Sequence, residues 1–216
     1  RKEAEALIQA DQVLIATGRK AATADLFQEG AAPELNRGFI AVNSQNESSI
    51  PGVYAIGDVC GGIQLAHYAT AQGRVLVERL CGLSPQDKLD LIPACVYTQP
   101  EIASVGLDAN QAKDQGIETL IGKYSMGGNA KTVIDDLGRS FIKLVFRADN
   151  HQLIGAQMVC GRASDLISIA TLAMVGGLTA EDLASTVFPH PTYAEAIGEA
   201  AQEALGTGVH VMKRKR

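Results

Sequence analysis

The strongest constraint on how this 216-residue chain can fold is a change of texture near its middle. Before residue 83 the apolar residues come in unbroken runs, "VLIATG" at the end of 11–18 and "VYAIG" within 53–58. Beyond residue 93 they alternate or nearly alternate, as in "LIGKYSM" (120–126), "RSFIKLVFRA" (139–148) and "QLIGAQMVC" (152–160). A run buried on both faces belongs to a parallel sheet covered by helices. Alternation belongs to an antiparallel sheet with one covered face. Between the two textures lies "LSPQDKLDLIP" (83–93), whose prolines and acids read as a boundary. The sequence therefore predicts an α/β segment followed by an α+β domain, with helices laid on one antiparallel sheet.

Within the first part, residues 1–10 read as the end of a helix, 11–18 as a buried strand and 38–42 as a short strand. The Asn-, Ser-, Pro- and Gly-rich stretch 43–52 reads as turns, and 53–58 as the next strand. A helix follows over 65–82, with Ala69, Gly73, Leu76 and Leu80 at helical spacing and Gly82 as its stop. In the second part, strands are expected at 94–98, 103–107, 120–126, 139–148 and 152–160, the last two joined by the "DNH" hairpin. Residues 108–116 read as a short helix. Residues 164–177 read as a helix facing the core with Leu166, Ile169, Ala170 and Ala173. Thr179 and Asp182 form a capping box, and a closing helix spans about 193–205.

Composition narrows the function classes. Apolar residues at 46% and charged residues at 20% are ordinary for a globular chain, and the apolar stretches are too short or too broken to cross a bilayer. The first residues carry no apolar signal segment. The chain begins without Met inside what reads as a helix, so a fragment or processed product is expected. A net charge of −5 argues against a nucleic-acid surface, and neither nucleic acid nor membrane is expected as a partner. The basic tail "KRKR" (213–216) reads as a solvated end. Cys60, Cys81, Cys95 and Cys160 lie far apart with no CxxC spacing. They read as small buried apolar residues in a reducing, cytoplasmic compartment, and no metal site is expected.

Two stretches carry chemistry. In "GVYAIGDVCGGIQLAH" (52–67), Asp58 ends a parallel-type strand, where α/β sheets bind ligands. Its carboxylate only accepts hydrogen bonds, which suits a sugar or ribitol hydroxyl. Gly57, Gly61 and Gly62 let backbone approach a ligand, and the amides of Leu65, Ala66 and His67 open the next helix toward an anion or carbonyl oxygen. The alternative is an aspartate that merely caps a loop. The second stretch is "HPTYAE" (190–195), the one place where a histidine stands five residues before a glutamate. Thr192 and Glu195 have capping-box spacing, so this is either a helix start or an acid/base pair positioned by one.

"GVYAIGD" with a histidine nine residues after its aspartate resembles the second flavin-binding motif of the pyridine nucleotide–disulfide oxidoreductases. "DQVLIATGR" (11–19) looks like the segment closing their nicotinamide domain, "IPACVYTQPEIASVGL" (92–107) the opening of their dimerisation domain, and "HPTYAE" that domain's catalytic signature. All four occur in family order, over the chain to about Leu205. Within the family, "LAH" and "YTQPEIA" look like the dihydrolipoamide dehydrogenase branch. Two departures stand out: the proline usual after the arginine of "TGR" is missing, and Phe188 stands where a second histidine is frequent.

The resemblance implies residues 1–18 as the end of an NAD-binding domain, 19–88 as the second segment of an FAD-binding domain and 89–216 as the dimerisation domain. It implies FAD and NAD as cofactors. Gly18 would lie near the nicotinamide, Asp58 beside Gly57 would hold the ribitol, and Gln64, Leu65, Ala66 and His67 would run beside the flavin, His67 by backbone alone or by side chain. It implies His190 as acid/base and Glu195 as its partner, a cis peptide before Pro191, and a homodimer in which the histidine faces the other subunit's disulfide. The implied substrate is dihydrolipoamide, free or on the lipoyl domain of a 2-oxo acid dehydrogenase complex. None of the four cysteines has the spacing of the family's redox pair, so the chain alone is expected to be inactive. Another disulfide reductase of the family, glutathione reductase-like, and a non-enzymatic dimerisation fragment remain as alternatives.

Overall fold

The computed structural model describes residues 7–138 and 140–210. Of the helix expected over 1–10, residues 1–6 lie outside the described residues and residues 7–10 are not helical; the "KRKR" tail and the first residue of the 139–148 strand also lie outside the described residues. The chain divides into two compact units, Arg1–Pro85 and Gln86–Arg216.

The first unit is sparsely ordered. A two-stranded hairpin pairs β1 (Leu35–Asn36) with β2 (Phe39–Ile40). Arg37 and Gly38 turn it with φ of 52° and 87°, the double positive φ that a tight two-residue hairpin turn demands. The run expected as a strand at 11–18 forms none. Val13, Leu14 and Ile15 are 84%, 91% and 79% exposed. The run 53–58 pairs only through a bridge between Glu47 and Tyr54, then tightens into a 3-10 turn at Gly57–Cys60. A strand exists only through a partner that takes its amides and carbonyls. No described strand pairs with 11–18, and 53–58 has only the short segment 46–48 beside it. Helix α1 (Ala66–Leu80) forms as expected. Its buried positions are Gln72 and Val75, however, and Leu80 is exposed. The backbone N–H of Gly57 donates to the buried Gln72 side chain at 2.9 Å, and the expected positions Ala69 and Gly73 lie against Gly57 and Ile56.

The second unit is built as the alternation predicts. Strands β3 (Ala94–Val96), β4 (Glu101–Gly106), β5 (Thr119–Ser125), β6 (Phe141–Arg147) and β7 (Leu153–Cys160) form one sheet in the order β3-β4-β7-β6-β5. Every neighbouring pair is antiparallel. The helices are α2 (Ala109–Asp114), α3 (Ala130–Ile134), α4 (Ala163–Val175), α5 (Ala180–Ser185) and α6 (Glu195–Ala204). Helix α3 has no counterpart in the sequence reading. The expected Thr179–Asp182 capping box on α5 is complete in both directions.

One face of the sheet carries Ile142, Leu144, Phe146, Ala156 and Met158 into a continuous core with Ile167 and Ala170 of α4 and Ile197 and Ala200 of α6. Each large side chain so buried contributes about 1.5–3 kcal/mol. Helix α6 lies directly on β5. A Cβ on Gly122 would fall 1.7 Å from the Ala200 carbonyl oxygen, so only glycine lets the helix approach this closely. That contact fixes the height at which Glu195, the first residue of α6, leaves the sheet.

Candidate functional site

The second unit brings His190 and Glu195 together. The His190–Pro191 peptide is cis, as is Gln99–Pro100. His190 Nδ1 lies 2.8 Å from Glu195 Oε1. The other carboxylate oxygen, Oε2, accepts the backbone N–H of Thr192 at 2.8 Å. The capping-box expectation is half met. Glu195 closes the Thr192 amide, but the Thr192 hydroxyl turns away from the helix and donates to the Pro189 carbonyl at 2.7 Å. The N-cap residue of α6 is Ala194, which has no capping side chain. A glutamate bonding back to the loop thus does the closing alone.

Burial pushes the Glu195 carboxyl up, but the Thr192 amide and the His190 ring outweigh it and hold the group below the ordinary carboxylate range. It is therefore ionised at neutral pH. A carboxylate on Nδ1 orients the imidazole and leaves Nε2 to exchange a proton outside. The His190 side chain is 69% exposed and that of Glu195 27%, so the pair has an anchored end and an open one. Phe188, the departure from the family pattern, sits against Gly198, where a Cβ would come within 3.1 Å of its ring. It is partly buried against the core and ties the loop entering the motif to α6.

Two further His–Glu pairs escaped the sequence reading. His151 Nδ1 meets Glu181 Oε1 at 2.5 Å, and His210 Nδ1 meets Glu199 Oε1 at 2.8 Å. Their partners are 30 and 11 residues apart, and no short motif encodes such spacings. Proximity of imidazole to carboxylate is thus common in this unit. In the His190–Glu195 pair the second carboxylate oxygen, Oε2, is tied to the motif itself through the Thr192 backbone N–H.

The first unit holds the remaining expected residues. Asp58, half exposed, accepts Arg19 Nη1 at 3.0 Å, so the segment after Gly18 meets the aspartate through an ion pair. Gly18 itself is exposed with φ of 117° and nothing within 4 Å of a Cβ. Gly57 takes φ of 72°, and a Cβ there would press to 2.9 Å on Ala69 of α1, so turn and helix start are in contact. Gln64 and Leu65 are half-buried, and Ala66 and His67 exposed. Leu65 is the N-cap of the 15-residue helix α1, in extended backbone and with no side-chain cap hydrogen bond. An acceptor-only carboxylate, an uncapped helix N-terminus and close-approach glycines fit the hydroxyl-bearing chain and the electron-rich edge of a flavin. Gln72, which holds the Gly57 amide, was missed because a buried glutamine at an apolar helix position looks like a surface residue in sequence.

Among the described residues no helix is long and apolar enough to cross a membrane. Residues 92–201 match the dimerisation domain of the pyridine nucleotide-disulphide oxidoreductases, and residues 1–73 match a second model described as pyridine nucleotide-disulphide oxidoreductase. The chain is 40% identical over 208 residues to a dihydrolipoyl dehydrogenase of Geobacillus stearothermophilus, covering 96% of this chain and 44% of that protein. It is 38% identical over 213 residues to one of Bacillus subtilis, covering 98% and 45%. It thus spans less than half the length of the curated relatives it matches. Among solved structures it resembles the HOCl-induced flavoprotein disulfide reductase RclA of Escherichia coli, with a TM-score of 0.80 and 25% identity over 87% of this chain and 44% of that one. It also resembles LpdA of Mycobacterium tuberculosis, with a TM-score of 0.76 and 29% identity over 85% of this chain and 40% of that one.

Proposed function

The chain belongs to the pyridine nucleotide-disulphide oxidoreductase family, and on that premise we propose that it is the C-terminal part of a dihydrolipoamide dehydrogenase in which His190 and Glu195 are the acid/base pair. The observation that carries the reading is the doubly held carboxylate of Glu195, with Oε1 on the imidazole and Oε2 on the Thr192 amide. Relatives named dihydrolipoyl dehydrogenase at about 40% identity support the choice within the family.

The chemistry follows from thiol acidity. A dithiol with pKa near 8.5 is mostly protonated at neutral pH, whereas attack on a disulfide requires the thiolate. His190 Nε2 takes the proton as the S–H bond breaks, and the electron pair stays on sulfur. Glu195 stabilises the resulting imidazolium and keeps Nδ1 protonated. Among the described residues Cys60, Cys81, Cys95 and Cys160 are all free, so the disulfide under attack is assigned to another part of the protein.

We assign residues 1–18 to the end of the NAD-binding domain, 19–88 to the FAD-binding domain and 89–216 to the dimerisation domain. Asp58, Gly57, Gln64, Leu65, Ala66 and His67 would hold FAD, and Gly18 would lie near NAD. Held there, FAD would supply the two-electron redox chemistry that links the dithiol side to the nicotinamide. The homodimer, the lipoyl domain as substrate carrier and a cytoplasmic site belong to the same reading.

The test is an assay of the intact protein with dihydrolipoamide and NAD, alongside glutathione disulfide with NADH or NADPH, and a visible absorption spectrum. The reading expects a flavin spectrum and NAD-linked dihydrolipoamide oxidation. Turnover of glutathione disulfide instead would move the protein to another branch of the family. A colourless protein active on neither would leave a dimerisation module.

A further inference from the structure

The motif that carries the acid/base pair does not stand on α6 alone. Helix α3 (Ala130–Ile134) is five residues long, too short to be stable by itself. Its N-cap is Asn129 and its C-cap is Asp135. Both reach across more than fifty residues of sequence to two successive residues between His190 and Glu195.

Asn129 uses its two amide atoms differently. Oδ1 accepts the Thr132 N–H at 3.0 Å and the Thr132 hydroxyl at 3.1 Å, which caps α3. Nδ2 donates to the Thr192 carbonyl at 2.8 Å. The residue is 4% exposed, so either bond, once lost, would leave a polar group without water to replace it. Asp135 accepts the Tyr193 hydroxyl on one oxygen and Lys131 Nζ, at 2.6 Å, on the other. Burial, aided by Asp135, pushes the Tyr193 phenol up to about 12, so the hydroxyl remains a donor through the physiological range. Thr192 is thereby fixed at three points: its N–H by Glu195, its carbonyl by Asn129 and its hydroxyl on Pro189. The residue whose N–H holds Glu195 Oε2 is itself held, through its carbonyl, by the N-cap of a separate helix, and the next residue by the C-cap.

We infer that Asn129 and Asp135 are positioning residues for His190 and Glu195: the two caps of α3 clasp Thr192 and Tyr193 and so set the carboxylate against the imidazole. The inference rests on the acid/base reading of that pair. It gives a role to the five-residue helix beside the motif and to asparagine as its N-cap. Aspartate would cap equally well but has no N–H for the Thr192 carbonyl.

Asn129→Asp separates the two roles, since it keeps the cap and removes the donor. Tyr193→Phe does the same for the Asp135 arm, keeping the ring. In the intact protein each is expected to lower kcat for dithiol oxidation about 10- to 100-fold, the scale on which a small displacement of a catalytic group is felt. The KM for the nicotinamide should not change. In a Glu195→Gln background the same substitutions should lower kcat little further, because they act through that carboxylate. Equal fold-losses in both backgrounds would overturn the clasp and leave only a structural role. Normal turnover by His190→Ala and Glu195→Gln would instead remove the acid/base reading, and the clasp with it. As a readout independent of turnover, the downfield NMR proton of the His190–Glu195 bond should weaken in Asn129→Asp. An unchanged signal, with native melting, would also overturn the inference.

Discussion

The two halves of this chain contain equally apolar runs and treat them in opposite ways. Val13, Leu14 and Ile15 in the first unit are almost fully exposed, whereas Ile142, Leu144 and Phe146 in the second are completely buried. Hydrophobicity does not separate them. The second set has neighbours on both sides, since β6 pairs with β5 and β7, and has α6 above it. The first set has no described strand alongside. An apolar run states only that a segment can be buried, and the partner decides whether it is. The proposed acid/base pair, His190 and Glu195, stands on the second unit, and the expected cofactor residues stand on the first.

Truncation should expose this difference most sharply. Phe146→Ala is expected to destabilise the second unit by about 3–5 kcal/mol, the usual cost of emptying a buried aromatic site. Ile15→Ala, on a side chain 79% exposed, should stay within about 0.5 kcal/mol. Denaturant unfolding of both variants checks the pair. A comparable loss at Ile15 would show that the first run is packed after all.

Acidity gives a smaller effect, specific to the second unit. Glu195 is held below its unfolded value by the Thr192 amide and the His190 ring against the pull of burial. A depressed carboxylate stabilises the fold above its unfolded pKa, about 4.3, and loses that contribution as pH falls through the folded value. Glu195→Gln should therefore cost stability at pH 7 and cost progressively less on acidification below about pH 4. Melting curves from pH 7 to pH 3 read the difference. A gap that widens on acidification would contradict the assignment of the two bonds.

The second unit was legible because one-sided burial writes alternation into each strand, and all five strands formed within two or three residues of their expected bounds. The Thr179–Asp182 box was legible because its two bonds are local. Helix α3 was not, since five residues show no periodicity and its stability comes from caps bonded to a distant loop. The Thr192–Glu195 spacing was read correctly as a helix start, but the direction of the threonine hydroxyl depends on Pro189, which spacing cannot express. In the first unit the runs at 11–18 and 53–58 named the right kind of residue for a parallel strand, while the ladder itself is a property of two segments. The His190–Glu195 contact was legible because five residues across a turn bring the side chains together. The Asn129 arm crosses 63 residues and left no local trace.

The central claim is that His190, aimed by Glu195, moves the dithiol proton. The most direct test is turnover of dihydrolipoamide by the intact protein carrying His190→Ala, with electron transfer from NADH to an artificial acceptor as a reference that requires no thiol proton. The account predicts a loss of at least ~10²-fold in dithiol turnover with the reference reaction preserved. Near-normal dithiol turnover, or an equal loss in both reactions, would contradict it.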